Sequence, residues 1–545
     1  MSTLSLLYPP QYTPDRVNDS PDLTFYSQLG LERLVQVPVK GTVPWEVEHQ
    51  QFSRLFTSDP AVIQYRLDVV EDLVNNPEIC STFADLLPQI ETIAELRADK
   101  SRVSDTTSCL YSISEIELYT DCIDTLHQTF SHKAKIQSAG LRSLAQVVAD
   151  VYNSDEYQNL KSNAAKLMEQ TRSIRSITIG VNLDAQLHAV EAGVVAVNSE
   201  YYRSGDIIDR ILRLDRKDDG FRCLTPLIPY GKNRSDQQAT AFNMAINTAI
   251  DIIFAAAVRS WRPIIRRYLA LKTDFIIALA KEMRLLLGAV ELIKKLRELG
   301  LPMCKPQVCD QQARVFEVKG LYNPHIALSL GKDRIKDIVF NDFAFDENGM
   351  LYILTGANQG GKTAITYAVG ITQALFQLGM FVPARSAQLS PVDQILVHFP
   401  SSGDSIGKGR LGEECEHLRD IFRCASEHSL VLMDEALSST SAVEASYIAG
   451  EVLLSLSLIG ARGIFATHLH DLAQRVDEIN SYGGNKSKLD NLVAEVSMDE
   501  DGARRTYKIR RTKPDGLSYA KSIAQKYGIT LDQIMRERRI RKDRT

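Results

Sequence analysis

Residues 351–363 read LYILTGANQGGKT, an apolar run that leads straight into a glycine-rich stretch closed by a Lys-Thr pair. The stretch matches the phosphate-loop pattern GxxxxGK followed by Ser or Thr, and an apolar run precedes it while a helical pattern at residues 364–378 follows. Glycines let backbone N–H groups converge on phosphates, and the helix N-terminus adds positive potential. The sequence therefore predicts a nucleoside triphosphate site. The expected contacts are Gly356, Ala357, Asn358, Gln359, Gly360, Gly361, Lys362 and Thr363.

Two further apolar runs end in polar side chains, SLVLMDE at residues 429–435 and FATH at residues 465–468. Because ligands bind at the carboxyl ends of parallel strands, these side chains are expected to face the phosphate loop. Lys362 would contact the phosphates, while Thr363 and Asp434 would hold Mg²⁺. Glu435 would polarise the attacking water, and His468 would sense or stabilise the γ-phosphate.

The rest of the chain changes character along its length. Apolar residues at three-and-four spacing predict helices from about residue 45, with β-branched runs inserted, and strands alternate with helices from about residue 304. Pro263 is expected to kink or split a long helix that spans residues 236–299. The predicted units are an N-terminal arm (1–44), a helical core and lever domain (45–303) with a small strand-containing insert (173–235), an α/β phosphate-loop ATPase domain (304–490) and a C-terminal hairpin, helical pair and basic tail (491–545).

The predicted fold class is therefore multidomain, with the helical lever domain followed by an α/β ATPase domain of the ABC type and a mostly parallel sheet. With 545 residues, 44% of them hydrophobic and 24% charged, the chain is not of a disordered, collagen-like or disulfide-scaffold class. A net charge of −5 argues against wholesale coating of nucleic acid. The scattered cysteines contain no CxxC and predict reduced thiols without a zinc site. No signal peptide or membrane span is expected, which favours a cytoplasmic protein, associated with the nucleoid if bacterial.

The chain contains four motifs in the order found in ATPases that hold nucleotide between two subunits. They are the phosphate loop, the glycine-rich stretch GKGRLGEE at residues 407–414, the strand that ends in Asp-Glu and the strand that ends in Thr-His. More narrowly, the chain resembles the MutS family of DNA mismatch-repair ATPases over roughly residues 45–520. The motifs that carry the resemblance are TGANQGGKTAITYAVGITQALFQLGMFVPA (355–384), SLVLMDE with the following STS (439–441), FATH, GLYNPH (320–325) and YRLDVVEDL (65–73). The resemblance implies ATP with Mg²⁺, a homodimer, and DNA as a partner.

The chain departs from the family pattern at several places. The family's phosphate loop reads GPNMGGKS, and this chain differs from it at Ala357, Gln359 and Thr363. Of these three, only Thr363 has an expected role in the chemistry, and the change from Ser to Thr keeps the hydroxyl. The family's trans-acting loop carries Ser-Thr after Gly-Arg, whereas Leu411-Gly412 follow Gly409-Arg410 here. We expect the backbone N–H groups of Gly409 and Gly412, with the side chain of Lys408 or Arg410, to replace the missing hydroxyl, because a phosphate accepts either kind of donor.

The segment Ile338-Val339-Phe340-Asn341 occupies the family's base-contact position. Asn341 is the expected contact to adenine, and Phe340 is either the stacking residue or ordinary core. Mismatch-reading members insert the phenylalanine of a Phe-x-Glu motif from a separate N-terminal domain. The Phe-x-Glu motif in this chain, Phe345-Asp346-Glu347, runs into Asn348-Gly349 and is expected to be a turn. With the helical core beginning near residue 45 and a short insert, mismatch recognition is not predicted.

Basic clusters leave two interpretations open, contact with nucleic-acid phosphates or solvated helix faces. They comprise Arg203, Arg210, Arg213, Arg216 and Lys217 in the insert, Arg259, Arg262, Arg266 and Arg267 in the long helix, and Arg536, Arg538, Arg539, Arg541, Lys542 and Arg544 in the tail.

The sequence leaves three functions open. The first is a homodimeric ATPase in DNA repair or recombination that couples ATP to helical levers around DNA, with structured or branched DNA preferred to mismatches. The second is an ATP-dependent switch or scaffold that grips a protein partner, with DNA contact incidental. The third is a chromosome-organising or recombination-type ATPase that shares only the nucleotide fold, against which the FVPA and GLYNPH motifs argue.

Overall fold

The structure is a computed structural model. It describes residues 4–10, 12, 24–35, 55–100, 105–131, 135–172, 176–186, 189–198, 228–229, 258, 261–269, 271, 273–356, 361–399, 410–437, 439–499, 502–514 and 528–542.

Helices dominate the first 300 residues, and local signals fix several of their ends. Asp59 caps the third helix by accepting a hydrogen bond from the Ala61 backbone N–H at 2.8 Å, and Pro60 occupies the first helical position. The helices are α1 Thr24–Gln28, α2 Glu32–Val35, α3 Pro60–Asn75, α4 Pro77–Asp99, α5 Asp105–Ser131, α6 Ala139–Tyr152, α7 Asp155–Arg172 and α8 Asp274–Glu298. Residues 261–269 are helical as well.

The N-terminal segment is part of the core. Phe25, Tyr26 and Leu29 are buried, and α1 packs against the ATPase sheet while α2 packs against α8. The sequence pattern indicates an arm followed by a short apolar strand or helix, and the short helices α1 and α2 are what the structure has there. Their apolar side chains are buried because they find a tertiary partner.

The insert and the long helix partly follow the sequence pattern. Strands β1 Ser176–Leu183, β2 Ala189–Asn198 and β3 Ile228–Pro229 form an antiparallel sheet in the order β1-β2-β3. Pro263 lies within the helical stretch 261–269, and the chain leaves the helix at Leu271 and Thr273 before α8 begins. The described chain thus leaves the helix after residue 269, and the kink expected at Pro263 stays a prediction because most of the predicted helix before Trp261 lies outside the described residues.

The second half is built on two sheets. One is a four-stranded mixed sheet in the order β4-β8-β5-β6, and the other a six-stranded sheet in the order β13-β12-β7-β11-β10-β9. All neighbours in the six-stranded sheet are parallel except β12 and β13. The strands are β4 Gln307–Val308, β5 Phe316–Leu321, β6 Asn341–Phe345, β7 Leu351–Gly356, β8 Ser386–Leu389, β9 Ile395–His398, β10 Leu430–Asp434, β11 Arg462–Ala466, β12 Leu489–Asp499 and β13 Gly502–Arg511.

Helices cover this sheet on both faces. The helices in this half of the chain are α9 Pro324–Arg334, α10 Lys362–Gln377, α11 Arg410–Cys424, α12 Ala442–Ile459, α13 His470–Gln474, α14 Val476–Asn480 and α15 Leu531–Lys542. Among the described residues, α12 alone is long and apolar enough to be considered for a membrane span, and its inner face packs in the apolar cluster beside β10 and β11.

Two details refine the expected architecture. The hairpin assigned to the C-terminal unit belongs to the ATPase sheet, because β12 pairs in parallel with β7 from Leu489 opposite Leu351 to Ala494 opposite Gly356. The Phe-x-Glu motif lies in a turn, where Asp346 and Gly349 form an antiparallel bridge.

Candidate nucleotide-binding site

The parallel strands bring three chemical groups to one edge of the sheet. Register pairs Asp434 of β10 with Ala466 of β11, and Ala466 with Leu354 of β7, so the carboxyl ends of the three strands coincide. Beyond these ends the chain keeps the alignment, since the Glu435 N–H donates to the Ala466 carbonyl at 2.9 Å. The Thr467 N–H likewise donates to the Leu354 carbonyl at 2.9 Å. The predicted convergence of these strand ends is therefore observed.

The phosphate-loop glycines that are described are conformationally required. Gly356 has φ +130°, and a Cβ there would lie 2.9 Å from the Ala494 backbone nitrogen. Gly361 has φ +101° and directly precedes α10. Both values fall where residues with a side chain are strained. Ala357, Asn358, Gln359 and Gly360 lie outside the described residues.

Lys362 begins α10 and is buried, with its Nζ donating to the Gly356 carbonyl at 2.9 Å. Its Nζ also lies 3.5 Å from the His468 Nδ1. Burial lowers the pKa of Lys362, and the nearby Glu435 and Asp434 carboxylates oppose that change. A compact cation so placed is suited to phosphate oxygens.

Asp434 and Thr363 form the candidate metal site. Asp434 is buried and hydrogen-bonded to the Thr363 side chain, while its Oδ1 has no hydrogen-bond partner among the described residues. Burial raises the pKa of Asp434, and a cation bound beside the carboxylate would lower that pKa again. A carboxylate and a hydroxyl are hard oxygen ligands that suit Mg²⁺, which usually keeps waters and phosphate oxygens as its remaining ligands. The residues present fit that ion.

Glu435 and His468 face each other across the same edge. His468 Nε2 lies 2.8 Å from Glu435 Oε1, and both side chains are partly exposed. Glu435 adopts a left-handed backbone conformation with φ 49°, which is uncommon for a residue with a side chain and typical of strained functional positions.

A cleft of about 610 Å³ opens beside these groups, within the size range of small-molecule sites. Its phosphate end includes Gly361, Lys362, Thr363 and Glu435. The rest of its lining is mainly apolar and aromatic but also includes Arg334 and Asp337, and the apolar and aromatic residues are Leu321, Tyr322, Ile326, Leu330, Ile338, Val339 and Tyr507. The cleft therefore places phosphate-binding groups beside a surface suited to an aromatic base.

Asn341 and Phe340 have different surroundings from those expected of base contacts. Asn341 lines the cleft, but its amide donates to the Tyr507 carbonyl at 3.2 Å and accepts from the Ile509 N–H at 2.8 Å. Phe340 packs edge-on against Tyr322 and beneath the Arg385 guanidinium. The geometry thus uses Asn341 to tie β6 to β13.

Tyr507 is the cleft residue that the sequence pattern missed. Its ring is 45% exposed, and a Cβ on Gly361 would lie 3.6 Å from its Cδ1. It has φ 56° beside an irregularity in the β12–β13 register. Its signal in the sequence is an aromatic residue within a charged hairpin, which is easily taken for a surface residue.

The predicted trans loop is described only in part. Lys408 and Gly409 lie outside the described residues, Arg410 begins α11, and Gly412 is exposed in its first turn. Of the described residues that line the cleft, none comes from α11.

Comparison with known proteins agrees with this geometry. Residues 352–542 match the family described as MutS domain V, and residues 58–299 match the MutS2 N-terminal domain. The chain is 26% identical over 460 residues to the DNA mismatch repair protein MutS of Prochlorococcus marinus, covering 82% of this chain and 44% of that protein.

Two other relatives are also named DNA mismatch repair protein MutS. The protein of Halothermothrix orenii is 24% identical over 518 residues, covering 88% of this chain and 53% of that protein. The protein of Lactobacillus delbrueckii subsp. bulgaricus is 30% identical over 197 residues, covering 33% and 23%. The chain thus spans about half the length, or less, of these relatives. Since the two family matches fall on the ATPase and helical parts and relatives named MutS align over most of the chain, it belongs to the MutS family.

Proposed function

We propose that this protein binds ATP with Mg²⁺ in the cleft, hydrolyses it at a dimer interface and couples hydrolysis to the grip of helical levers on DNA. The observation that carries the proposal is the meeting of Lys362, Asp434, Glu435 and His468 at one edge of the sheet, next to a cleft lined mainly by apolar and aromatic side chains. Charged groups for phosphates, hard oxygens for Mg²⁺ and an acid for water activation are what phosphoryl transfer to water needs.

The nucleotide would lie along the cleft with its base between Tyr507 and the aliphatic side chains of Ile326 and Ile338. Stacking on an aromatic face stabilises a base without reading its edge. Lys362 would exchange the Gly356 carbonyl for phosphate oxygens, which accept stronger, charge-assisted hydrogen bonds. Mg²⁺ would be held by Thr363 and Asp434 and would neutralise charge on the phosphates.

Glu435 and His468 would divide the remaining work. In the structure the Glu435 carboxylate is held by His468 Nε2 at 2.8 Å. A γ-phosphate near Lys362 would offer His468 an anionic acceptor in exchange. Glu435 would then be released to orient and polarise the attacking water.

Two exposed apolar surfaces support a dimer. On α12, Val443 is 81% exposed and Tyr447 67% exposed, with Glu444 and Glu451 beside them. On α15, Leu531, Ile534 and Met535 are exposed, and the helix is rich in arginine. Exposed apolar side chains of this kind mark protein contacts. A second copy would supply the start of α11, which is absent from the cleft of its own protomer as far as the described residues go.

DNA contact is supported by the helical stretch 261–269, where Trp261, Ile265 and Tyr268 face inward while Arg266 and Arg267 are exposed. Arginines on a rigid face bind phosphates independently of sequence, which favours recognition by shape. We therefore propose structured or branched DNA rather than mismatches, in DNA repair or recombination in the cytoplasm. The insert arginines and most of the tail arginines lie outside the described side chains.

The alternative, an ATP-dependent switch that grips a protein partner, is favoured by the exposed apolar side chains of α12 and α15. It differs from the main proposal in one measurable respect. Hydrolysis by a protein-gripping switch should be indifferent to duplex DNA.

The test is steady-state ATP hydrolysis by the wild type and by Lys362→Ala, without DNA and with homoduplex, mismatched or four-way-junction DNA, at two salt concentrations. Lys319→Ala, which changes an exposed lysine on β5, is the matched control. Stimulation by junction DNA that is abolished in Lys362→Ala and weakened by salt supports the proposal. Lys362-dependent hydrolysis that ignores every DNA supports the protein switch, and hydrolysis that survives Lys362→Ala contradicts the assignment of the site.

A further inference from the structure

Two histidines meet where the six-stranded sheet contacts α11. His398 is the last residue of β9, is buried, and pairs in register with Met433, the residue before Asp434. His417 lies about two turns into α11. Their Nδ1 atoms are 2.7 Å apart and their ring centroids 4.9 Å apart. The pair is a direct polar link between the candidate metal edge of the sheet and the helix that begins at Arg410.

The first turn of α11 contacts the sheet through Leu411, which packs against the apolar cluster that contains Met433. Gly412 is exposed, and a Cβ added there would meet nothing within 4 Å. Further along, Leu418 and Ile421 are buried in the apolar cluster that contains Met433. Apolar burial is non-directional, so it holds the helix against the sheet without fixing its rotation or its slide. A hydrogen bond is directional and fixes both.

The other side of the pair is tied to the cleft. Phe399 follows His398 and stacks on Tyr367 of α10, with ring centroids 4.4 Å apart and planes at 17°. Tyr367 lines the cleft. His398 is therefore linked to the nucleotide site of its own protomer through the stacked pair Phe399 and Tyr367.

We propose that His398 and His417 form a clasp that sets the position of the start of α11, and through it the groups that α11 presents to nucleotide held by a second copy. This inference rests on the proposed function, because it takes the site shared between two copies as given. Both are positioning residues, since neither lines the cleft that the described residues form.

The chemistry of the pair suits a fixed contact. One ring donates from its Nδ1–H and the other accepts at its bare Nδ1. Burial, together with the neighbouring His417, lowers the pKa of His398 to about 4, so His398 is uncharged at neutral pH. The contact then forms without bringing two cations together. Displacements of the order of 1 Å at a catalytic group can cost about a hundredfold in rate, so loosening the clasp should be visible in kcat.

The first experiment compares His417→Leu, which removes the hydrogen bond at similar volume, with His417→Asn, whose amide can occupy the Nδ1 position. We expect His417→Leu to lower kcat by about tenfold to a hundredfold with KM for ATP unchanged, and His417→Asn to restore kcat to within about threefold. A matched loss in both variants, or a change confined to KM, overturns the clasp. His417→Ala serves the same comparison if the leucine variant melts early.

The second experiment separates action on the partner from a general structural role, using heterodimers purified through two affinity tags. In the first heterodimer, a Lys362→Ala protomer with intact His417 is paired with a His417→Leu protomer. The competent phosphate loop belongs to the His417→Leu protomer, and it faces the intact clasp of the Lys362→Ala protomer. In the second heterodimer, a wild-type protomer is paired with a protomer that carries both Lys362→Ala and His417→Leu. The competent phosphate loop belongs to the wild-type protomer, and it faces the broken clasp of the double variant. The inference expects the second heterodimer to be about tenfold slower than the first.

Equal rates in the two heterodimers, or a slower first one, overturn the inference. The outcome also distinguishes this inference from the proposed function. If wild type shows no Lys362-dependent hydrolysis, the proposed function fails and the inference with it. If that hydrolysis is present but indifferent to the clasp, only the inference fails.

Discussion

Glu435 Oε1 accepts a hydrogen bond from His468 Nε2 at 2.8 Å, so the acid best placed to activate water is engaged by a neighbour from the next strand. The contact depends on the parallel register of β10 and β11, which places the residues after Asp434 and Ala466 side by side. Glu435 lies one residue beyond its strand, in a left-handed conformation. Loss of its hydrogen bond to His468 would therefore suffice to turn the carboxylate towards another partner.

Glu435→Gln should lower kcat for ATP hydrolysis by about a hundredfold to ten-thousandfold, since the amide cannot accept the proton of the attacking water. ATP binding, measured by calorimetry, should stay within about threefold of wild type because Lys362 and the base end are untouched. Glu427→Gln, at an exposed glutamate outside the cleft, is the matched control. Retained hydrolysis in Glu435→Gln would show that another group activates the water.

Asp434→Asn should have opposite effects on stability and on ligand binding. Burial raises the pKa of Asp434, so at neutral pH the folded protein carries a carboxylate that is stabler in the unfolded chain. The asparagine should therefore raise the melting temperature of the nucleotide-free protein. Mg²⁺-dependent ATP binding should weaken about tenfold or more, because a charged metal ligand is removed.

The measurement is thermal unfolding with and without ATP and Mg²⁺, using Asp420→Asn on the exposed side of α11 as the control. A lower melting temperature for nucleotide-free Asp434→Asn would contradict the proposed cost of the buried carboxylate. An unchanged gain in melting temperature with ATP and Mg²⁺ would contradict its role as a metal ligand.

Much of this site follows from sequence because each participant stands in a strong local pattern. Lys362 ends a phosphate loop, while Asp434 and His468 follow apolar runs, and parallel strands bring such ends together without further information. The base end does not follow in the same way. Tyr507 reaches the cleft because β12 pairs with β7 and the hairpin then turns back over the phosphate loop, and neither event leaves a local signal.

The N-terminal segment shows the same limit. The sequence indicates a short apolar element after the arm, but it does not show that Phe25, Tyr26 and Leu29 are buried against elements that lie hundreds of residues later. Helices as short as α1 and α2 are not stable alone, and their existence depends on that tertiary packing. Local propensity could not reveal it.

Tyr507→Ala should raise KM for ATP by about tenfold, because stacking of a base on an aromatic ring contributes about 1–3 kcal/mol. Tyr507→Phe keeps the ring and should leave KM within about twofold. The value of kcat at saturating ATP should change little in either variant, since a contact with the base is made equally in the ground state and in the transition state. Equal KM values for Tyr507→Ala and wild type would place the base elsewhere.

Arg266→Gln and Arg267→Gln together should weaken DNA binding uniformly across sequences. Each DNA phosphate that an arginine no longer neutralises should reduce the slope of log affinity against log salt by about 0.9, so the slope of the double variant should fall by up to about 1.8. Fluorescence anisotropy with junction and homoduplex DNA between low and moderate salt measures both quantities. The matched control is Lys486→Gln with Lys513→Gln, which changes two exposed basic side chains outside the cleft. An unchanged slope would remove this helical face from the DNA interface.

His398 should make stability depend on acid. Its pKa is lowered to about 4 in the folded protein, first by burial and then by the neighbouring His417. The unfolded chain therefore binds a proton first. The stabilisation is fully present above the ordinary histidine pKa of about 6.5 and disappears as pH falls from there towards 4.

Within that window the free energy of unfolding should fall by about 1.4 kcal/mol per pH unit more steeply in wild type than in His398→Asn, which has no proton to gain. Denaturant unfolding at several pH values from 7 to 4.5 measures the difference. His428→Asn, at a histidine outside the clasp, should keep the wild-type slope. Parallel slopes for wild type and His398→Asn would mean that His398 titrates as it does in the unfolded chain, and that the ring is not held uncharged against His417.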